Sequence, residues 1–487
     1  MPKTILAAKK AAIAGSEKST ASMRWALASL SLSMLMPSLD TSIANVGLPT
    51  LARAFNATFH EVQWIVLAYL LAITTLIVSV GRLGDIIGRR RLLLIGIGLF
   101  TAASLLCGAA PTLWLLIAAR ATQGLGAAIM MALTVALVGE TVPKAKTGSA
   151  MGLLGTMSAM GTALGPSLGG VLIAGLGWRT IFLVNLPLGI LNFFLAYRYL
   201  PAHGSKVKRD RNSFDHLGTL LLGLTLAAYA LAVTVGGGHF GRLNIALLLA
   251  TVMGAGLFVF AQARVASPLI PLAEFRNATL STSLVMNVLV TTVMMATLVV
   301  GPFYLSRALG LNTALVGVVM SIGPIISALS GVLAGRIVDR LGAPFMVIAG
   351  LVEMAAGLFA LSLLPQMFGV AGYIAAIAVL TPGYQLFQAA NNTTVMMDVH
   401  PDKRGVISGM LSLSRNLGLI TGASVMGAVF ALASATTDIT TAHPAAIASG
   451  MRITFVIAAA LMVVALIIAV GRRTLVKSAL ITQPIKN

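Results

Sequence analysis

Four charged side chains stand out because each lies inside a long apolar stretch of the sequence. They are Asp40, Arg120, Glu353 and Arg415. An ionised group in hydrocarbon is costly unless it faces a partner or a water-filled cavity, so such residues typically mark proton or substrate pathways. Side chains of these types could exchange a proton, pair with each other or neutralise a charged substrate.

Asp40 and Arg120 are the strongest candidates for proton chemistry. At 1.5 Å per residue, they reach similar depths in two helices that run in opposite directions. We expect them to form a buried pair in which the carboxylate gains a proton on one side of a membrane and loses it on the other. The alternative is a permanent structural salt bridge.

Glu353 and Arg415 each have more than one interpretation. Glu353 could recognise cationic compounds, although local pairing or partial exposure to lipid would explain it as well. Arg415 needs a counter-charge, and Asp398 is one option. The sequence leaves both questions open.

Polar amides follow one face of the helix that precedes Arg415. Gln385, Gln388 and Asn392 recur at helical spacing. Such a stripe either lines a cavity or hydrogen-bonds to a neighbouring helix, and both interpretations are open. The predicted lining of a substrate cavity comprises Asn45, Gln123, Glu353, Gln385, Gln388 and Asn392.

The elements that must position these side chains are membrane helices. Of the 487 residues, 9% are charged and 58% are hydrophobic, whereas soluble domains have about 25% charged residues. This composition excludes a soluble enzyme, a disordered chain and a secreted disulfide scaffold. The single cysteine, Cys107, excludes an internal disulfide and a cysteine metal cluster. The sequence has no GxxxxGK[ST] phosphate loop, so we expect no ATP-driven pump. We also expect a protein that is not an enzyme and has no cofactor.

Fourteen apolar stretches approach the roughly 20 residues that a membrane-spanning helix needs. Two of them are predicted next to each other near 345–364 and 370–396. The stretches fall into six, two and six, which gives the predicted domain organisation. It consists of an N-terminal tail at 1–24, a six-helix half at 25–200, an inserted helix pair with a basic loop at 201–264, a second six-helix half at 265–471 and a tail at 472–487.

The basic residues indicate the orientation. The net charge of +20 could indicate a nucleic-acid binder, but the basic residues are not gathered in one soluble region. Most of the 33 Lys and Arg residues fall on one side of the predicted spans. Because cytoplasmic loops are enriched in Lys and Arg, we expect both termini in the cytoplasm and the chain in the inner membrane, with no nucleic-acid partner.

An internal repeat divides the chain into halves. The pattern GRxxDxxG occurs at 81–88 and again at 335–342. Gly161 and Gly165 likewise match Gly418 and Gly422. Repeated membrane halves are typical of secondary transporters, whose substrate pathway lies between the halves. The alternative is a receptor or structural membrane protein with duplicated helices.

Four motifs together resemble the major facilitator superfamily. They are GRLGDIIGRR at 81–90, LDTSIANVGLP at 39–49, RATQGLGAA at 120–128 and GTALGPSLGG at 161–170. With the run from Trp178-Arg179 to Asn185-Leu186-Pro187 and the count of fourteen helices, the chain resembles the drug:proton antiporters of the EmrB/QacA type. The resemblance implies an all-α integral membrane protein of the major facilitator fold, with two six-helix bundles and two inserted helices.

The resemblance also implies roles for particular residues. Asp40 and Arg120 would couple protons. The repeated loop motif would act as a conformational latch, formed by Gly81, Arg82, Asp85, Gly88, Arg89, Arg336 and Asp339. The alternative for the latch is a basic turn that only fixes topology. The antiporter motif of the fifth helix would be a pivot or a proton seal, with close helix packing as the alternative, and comprises Gly161, Gly165, Pro166, Gly169 and Gly170.

The expected function is proton-driven export of amphipathic organic compounds, with cationic drugs favoured. The partners would be the small-molecule substrate, protons and the lipid bilayer, while a periplasmic adaptor is undecided. Some members of the family have an Asp after the Trp64-Ile65-Val66 run of the second helix, whereas Leu67, Ala68 and Tyr69 follow it here. This argues against dications, because each buried positive charge needs a counter-charge. The alternatives are a narrow exporter of one metabolite, antibiotic or siderophore, a nutrient symporter, and a membrane sensor that transports nothing.

Overall fold

The computed structural model describes residues 3–142, 147–201, 215–235, 241–265, 268–270, 272–397, 404–434 and 442–481. These residues form helices joined by short connections, and no strand occurs among them. The first half contains α1 (Lys3–Ala54), α2 (Phe59–Ile87), α3 (Arg89–Ala109), α4 (Leu113–Thr141), α5 (Thr147–Leu176), α6 (Thr180–Leu183) and α7 (Asn185–Tyr199). Helices α8 (His216–Thr234) and α9 (Arg242–Arg264) follow.

The second half repeats this order of elements. It contains α10 (Ala278–Phe303), α11 (Thr313–Leu341), α12 (Ala343–Met396), α13 (Arg404–Thr421), α14 (Gly427–Ala433) and α15 (Pro444–Ile481). Short non-α turns lie at Leu272–Arg276, Tyr304–Ala308 and Gly422–Met426. The predicted tails at 1–24 and 472–487 are helical in part, since α1 begins at Lys3 and α15 ends at Ile481.

Twelve helices in the described part of the chain are long and apolar enough to cross a membrane. The chain is therefore a multi-pass membrane protein. Helix α1 is not among the twelve, and α12 is counted once although its 54 residues would extend about 81 Å, far beyond a hydrocarbon core of roughly 30 Å. The count of fourteen spans stays a prediction.

Helix α12 folds back on itself. Gly369 has φ 55° and ψ −128°, which interrupts the helix between the predicted spans near 345–364 and 370–396. A glycine accepts this left-handed φ without a steric penalty. A Cβ at Gly350 would lie 2.7 Å from the Phe387 backbone nitrogen, and one at Gly357 would lie 2.7 Å from the Leu380 backbone. The two arms of α12 therefore pack closely in opposite directions.

The same glycine contacts recur in both halves. In the first, a Cβ at Gly161 of α5 would lie 2.5 Å from the carbonyl oxygen of Leu35 in α1. In the second, a Cβ at Gly418 of α13 would lie 2.5 Å from the carbonyl oxygen of Val288 in α10. Small residues let membrane helices approach closely, so the repeat in the sequence corresponds to a repeated helix crossing.

Helix α8 contacts both halves. Ser79 in α2 and Thr219 in α8 lie in hydrogen-bond contact at 2.8 Å, and the Tyr229 hydroxyl of α8 donates to Thr421 Oγ1 in α13 at 3.1 Å. Helix α9 is mostly exposed, as expected of a helix whose apolar surface faces lipid. The inserted pair thus lies beside the seam between the two halves.

The two ends of the bundle differ in composition. The arginine-rich end is the end with the α2–α3 and α11–α12 connections, near Arg89–Arg91 and Arg340. Gly88 and Gly342 make these two turns with φ of 98° and 88°. The phenylalanine end is the opposite one, where Phe59 packs against Phe303 and Phe430 with ring centroids 4.8 and 5.8 Å apart.

Candidate transport site

A buried ion pair lies at the centre of the first half. Arg120 of α4 pairs through Nη1 with Oδ2 of Asp40 in α1, and both side chains are 0% exposed. Arg120 Nε also donates to the carbonyl oxygen of Ile65 at 3.0 Å. The predicted pairing of Asp40 with Arg120 is present in the structure.

Amide side chains complete the shell of Asp40. Gln123 Nε2 and Asn185 Nδ2 both donate to Asp40 Oδ1 at 2.8 Å. Gln123 Oε1 in turn accepts from Arg120 Nη1 at 2.6 Å. Asp40 therefore accepts three hydrogen bonds, as a buried carboxylate needs if it is to stay charged. We call Asp40, Arg120, Gln123 and Asn185 the acid–base cluster.

Neighbouring residues support the cluster. Gln123 Nε2 also donates to Ser104 Oγ at 2.8 Å, and the Cys107 thiol lies 3.6 Å from Gln123 Oε1. The Arg120 guanidinium lies over the ring of Tyr69, 4.2 Å from its centroid. These contacts hold Arg120 by cation–π attraction as well as by the ion pair.

Some polar atoms of the cluster lack a partner. Arg120 Nη2 and Asn185 Oδ1 are buried and make no hydrogen bond within the described residues. Asn45, one turn after Asp40, donates only to Thr41 of its own helix at 2.9 Å, and its Oδ1 is likewise unpaired among those residues. A buried network that is only partly satisfied is less stable than a complete one, which lowers the cost of rearranging it.

Helix α1 connects the cluster to α5. Ser38 Oγ lies 2.7 Å from Ser158 Oγ, and Ser42 Oγ donates to the Thr162 carbonyl oxygen at 2.8 Å. Ser38 and Ser42 flank Asp40 by two residues on either side. A shift of α1 at Asp40 would therefore act directly on α5.

A cavity of about 530 Å³ lies between the halves. Its size is in the range of sites for drug-sized molecules. Most of its wall belongs to the second half, while α5 contributes Ser158 and Thr162 and α1 contributes Met34. Its apolar wall includes Met294, Leu298, Met320, Ile377 and Leu419, and its polar wall includes Ser327, Thr381, Tyr384, Gln385, Gln388, Asn392 and Arg415.

Three of the predicted cavity residues line it. They are Gln385, Gln388 and Asn392. Gln388 Nε2 also donates to Asn287 Oδ1 at 3.2 Å and to the Tyr384 hydroxyl at 3.3 Å. Gln385 Nε2 donates to Ser327 Oγ. The polar stripe thus lines the cavity and also hydrogen-bonds to neighbouring helices.

The other three predicted cavity residues lie elsewhere. Gln123 and Asn45 are fully buried inside the first half: Gln123 donates to Asp40, and Asn45 donates to the Thr41 carbonyl oxygen of its own helix. Glu353 lies on the first arm of α12, half-buried, where a Cβ at Gly383 would be 3.0 Å from Glu353 Cβ. In this structure these three positions do not line the cavity.

The sequence of this chain matches the family model "Major Facilitator Superfamily" over residues 30–423. The chain belongs to the major facilitator superfamily. It is 30% identical over 400 residues to the riboflavin transporter RibZ of Clostridioides difficile, which covers 82% of this chain and 86% of that one. It is 32% identical over 403 residues to the multidrug resistance protein Stp of Mycobacterium tuberculosis. That alignment covers 82% of this chain and 74% of Stp.

The fold agrees with the family. A bacterial homolog of the human lysosomal transporter Spinster, solved in an inward-facing and unoccupied conformation, superposes with a TM-score of 0.67 at 15% identity, covering 94% of this chain and 98% of that one. The chain is therefore a major facilitator superfamily transporter with the all-α membrane fold that its sequence predicts.

The superfamily loop motif is described in part. Gly81, Arg82 and Asp85 lie in α2, and the description does not extend to the side chains of Arg82 and Asp85. In the second copy, Arg336 and Asp339 are exposed, and neither makes an ion pair within the described part of the chain. The predicted latch stays a prediction.

The predicted antiporter motif lies where α5 meets α1 and α11. A Cβ at Gly165 would be 2.5 Å from Ser42 Cβ, and one at Gly169 would be 2.6 Å from Ile43 Cγ1. A Cβ at Gly170 would be 2.8 Å from the Thr313 carbonyl oxygen of the other half. Pro166 lies inside the continuous helix α5. The motif is thus a close contact both within the first half and between the halves.

The contacts between the halves lie toward the phenylalanine end. Beside Gly170 and the Phe59 ring cluster, Gln63 Nε2 of α2 donates to the Ala423 carbonyl oxygen at 2.8 Å. Deeper along the same helices, Gly155 of α5 and Ser327 of α11 line the cavity instead. The cavity is therefore covered by contact between the halves at the phenylalanine end.

Proposed function

We propose that this transporter is a proton-coupled antiporter that exports amphipathic organic compounds across the inner membrane by alternating access. The buried pair of Asp40 and Arg120 is the observation that carries the proposal. An ion pair with no exposure inside apolar helices is costly, and its carboxylate is a chemically suitable proton carrier. The likeness to the multidrug resistance protein Stp supports export of drug-like compounds.

The coupling step follows from the hydrogen bonds of Asp40. As a carboxylate, Asp40 accepts from Arg120, Gln123 and Asn185. A proton on Asp40 removes its negative charge and turns one acceptor oxygen into a donor, so the attraction to Arg120 is lost. Arg120 is then held by Gln123 Oε1, the Tyr69 ring and the Ile65 carbonyl oxygen, all of them neutral partners. Protonation would therefore loosen α1 from α4.

The movement of α1 would reach the cavity through α5. Ser38 and Ser42 bond to Ser158 and Thr162, and the latter two line the cavity. Under the orientation that the basic residues predict, the phenylalanine end faces outward, so the cavity is covered on the outer side. Loading of substrate from the cytoplasm, opening of the outer contacts and return with a proton would complete the cycle.

Inverted membrane vesicles test this function. A proton gradient is imposed, and its discharge by a panel of amphipathic compounds is recorded for the wild type, Asp40→Asn and Asp215→Asn. Asp215 is the matched control because it is also a buried acid, which bonds to Gln262 at 2.6 Å in the inserted helix pair. We expect the compounds to discharge the gradient with the wild type and with Asp215→Asn, but not with Asp40→Asn. Equal discharge by Asp40→Asn and the wild type would make the pair a structural salt bridge.

Transport of a single metabolite is the second candidate function. The 30% identity to the riboflavin transporter RibZ favours it, because the likeness covers 82% of this chain. The same vesicles separate the two functions. Discharge by many unrelated compounds supports broad export, whereas discharge by one compound of the panel supports a narrow transporter.

A further inference from the structure

The cavity wall carries a positive charge, which indicates the chemical class of the substrate. Arg415 of α13 lines the cavity and is exposed to it. It is the one charged side chain among the described residues that line the cavity. Arg415 lies 11 residues after Arg404, the first residue of α13, which is about 16 Å along the helix and near the middle of a membrane.

Arg415 has no counter-charge in the described part of the chain. It makes no ion pair or hydrogen bond there. Asp40 pairs with Arg120, and Glu353 does not line the cavity. Asp398, the partner that the sequence suggests, lies outside the described residues. A guanidinium inside a membrane protein attracts an anion more strongly than one in bulk water, because the surrounding apolar side chains screen the charge weakly.

Neighbouring polar groups suit the same ligand. Asn392 lines the cavity, is exposed, and makes no hydrogen bond within the described residues, so its amide is free to donate. The Tyr384 hydroxyl accepts from Gln388, which leaves its own hydrogen to donate. Both side chains share the second arm of α12 and line the same cavity as Arg415. Donors around a guanidinium are the usual recognition elements for a carboxylate or another oxyanion.

The apolar part of the cavity lining suits an apolar body. Met34, Met294 and Met320 line the cavity together with Leu298 and Leu419. We call these five residues the methionine wall. Methionine side chains adapt to differently shaped apolar groups. The cavity of about 530 Å³ therefore combines a soft apolar wall with one cationic group.

We infer that the substrate is an amphipathic organic anion, whose oxyanion pairs with Arg415 and whose apolar body lies on the methionine wall. This inference rests on the proposed transport function and narrows its substrate class. It reverses the cationic preference that the sequence favours, because the acid offered for cation recognition, Glu353, does not line the cavity.

Matched probes test the inference. Pyrene carrying a butyrate, a butanol or a trimethylammonium head keeps one apolar body and changes only the charge. Binding to purified protein in nanodiscs is measured by fluorescence anisotropy, with empty nanodiscs as background. We expect the wild type to bind the butyrate about 10- to 100-fold more tightly than the other two, the range for a charge-assisted hydrogen bond.

Four variants locate the effect. Arg415→Gln should lower butyrate affinity to that of the butanol, while Arg415→Lys should keep part of the preference. Arg452→Gln, an exposed arginine of α15 that does not line the cavity, and Asp398→Asn should bind like the wild type. Size-exclusion profiles and Arg415→Lys control for folding.

The outcomes separate the inference from the function. Butyrate preference that depends on Arg415, without any proton-driven transport of the probe, supports the anion site and contradicts the proposed antiport. Proton-driven transport of the trimethylammonium probe with no effect of Arg415→Gln supports antiport and overturns the anion site. Equal binding of the three probes also overturns it. So does an Asp398→Asn variant that reproduces Arg415→Gln, because Arg415 would then serve a salt bridge.

Discussion

The two halves share a framework but differ in their polar interiors. In the first half, Ser38 contacts Gly161, and Asp40 lies two residues after Ser38. In the second half, Thr291 contacts Gly418, and the residue two positions after Thr291 is Val293. Gly126 and Gly383 make matching close helix contacts in the two halves. Arg120 lies six residues before Gly126, whereas Ile377 lies six residues before Gly383.

The glycine crossings and the charges therefore have separate roles in the molecule. The first half encloses a charged pair with no exposure, whereas apolar residues occupy the matching positions of the second half. The second half instead lines most of the cavity, with amides and Arg415. We therefore interpret the first half as the proton-coupling half and the second as the substrate-binding half.

The largest expected effect comes from breaking the charged pair. Asp40→Asn leaves Arg120 buried without its counter-charge, which should lower the free energy of unfolding by about 3–5 kcal/mol. The double variant Asp40→Asn/Arg120→Gln removes both charges and should recover most of that loss. Thermal unfolding in detergent checks both. A double variant no more stable than the single one would show that the loss does not come from the uncompensated charge.

The shared framework predicts matched effects in the two halves. Gly165→Ala would place a Cβ 2.5 Å from Ser42 Cβ, and Gly422→Ala would place one 2.3 Å from the Thr292 carbonyl oxygen. Overpacking of this kind typically costs about 1–3 kcal/mol. Gly155→Ala is the control, since nothing lies within 4 Å of its added Cβ. If only one of the first two variants is destabilised, the halves do not share an equivalent crossing.

A smaller effect is expected from the polar wall of the second half. Gln388→Leu removes donors to Asn287 and Tyr384 and an amide from the cavity. The loss of neutral hydrogen bonds should raise the KM for transport by about 2- to 10-fold. Proton-driven accumulation should persist, because the acid–base cluster is unchanged. Loss of proton coupling with an unchanged KM would contradict the assignment of roles to the halves.

The smallest effect is expected at the seam. Tyr229→Phe removes the hydrogen bond from α8 to Thr421 of α13. A partly buried neutral hydrogen bond contributes about 0.5–1.5 kcal/mol, so a shift of a few degrees at most in Tm is expected. Differential scanning fluorimetry measures it, with Tyr197→Phe, an exposed tyrosine of the first half, as control. A large loss of transport here would mean that α8 takes part in the conformational change.

Much of the framework could be predicted from the sequence because it depends on local patterns. Apolar stretches predict helices, and repeated glycines predict the matched crossings. The break at Gly369 lies between two predicted spans, at 364–370. Asp40 and Arg120 could be paired because helix rise alone sets their depths.

The direction of each side chain could not be predicted in the same way. Gln123 faces the cluster and Gln388 faces the cavity, although both are amides in apolar helices. The difference depends on the rotation of each helix about its axis, which distant contacts determine. Asn185 was missed as a site residue although it begins the predicted Asn-Leu-Pro run. The short helix α6 and the start of α7 at Asn185 bring it to Asp40, and the sequence does not show that distance.

The most direct test of the central claim separates coupling from binding in one preparation. Proteoliposomes containing the wild type or Asp40→Asn/Arg120→Gln are assayed for exchange of a labelled substrate at equal pH and for its uphill accumulation driven by a proton gradient. We expect the double variant to retain exchange and to lose accumulation. Accumulation by the double variant equal to that of the wild type would contradict it.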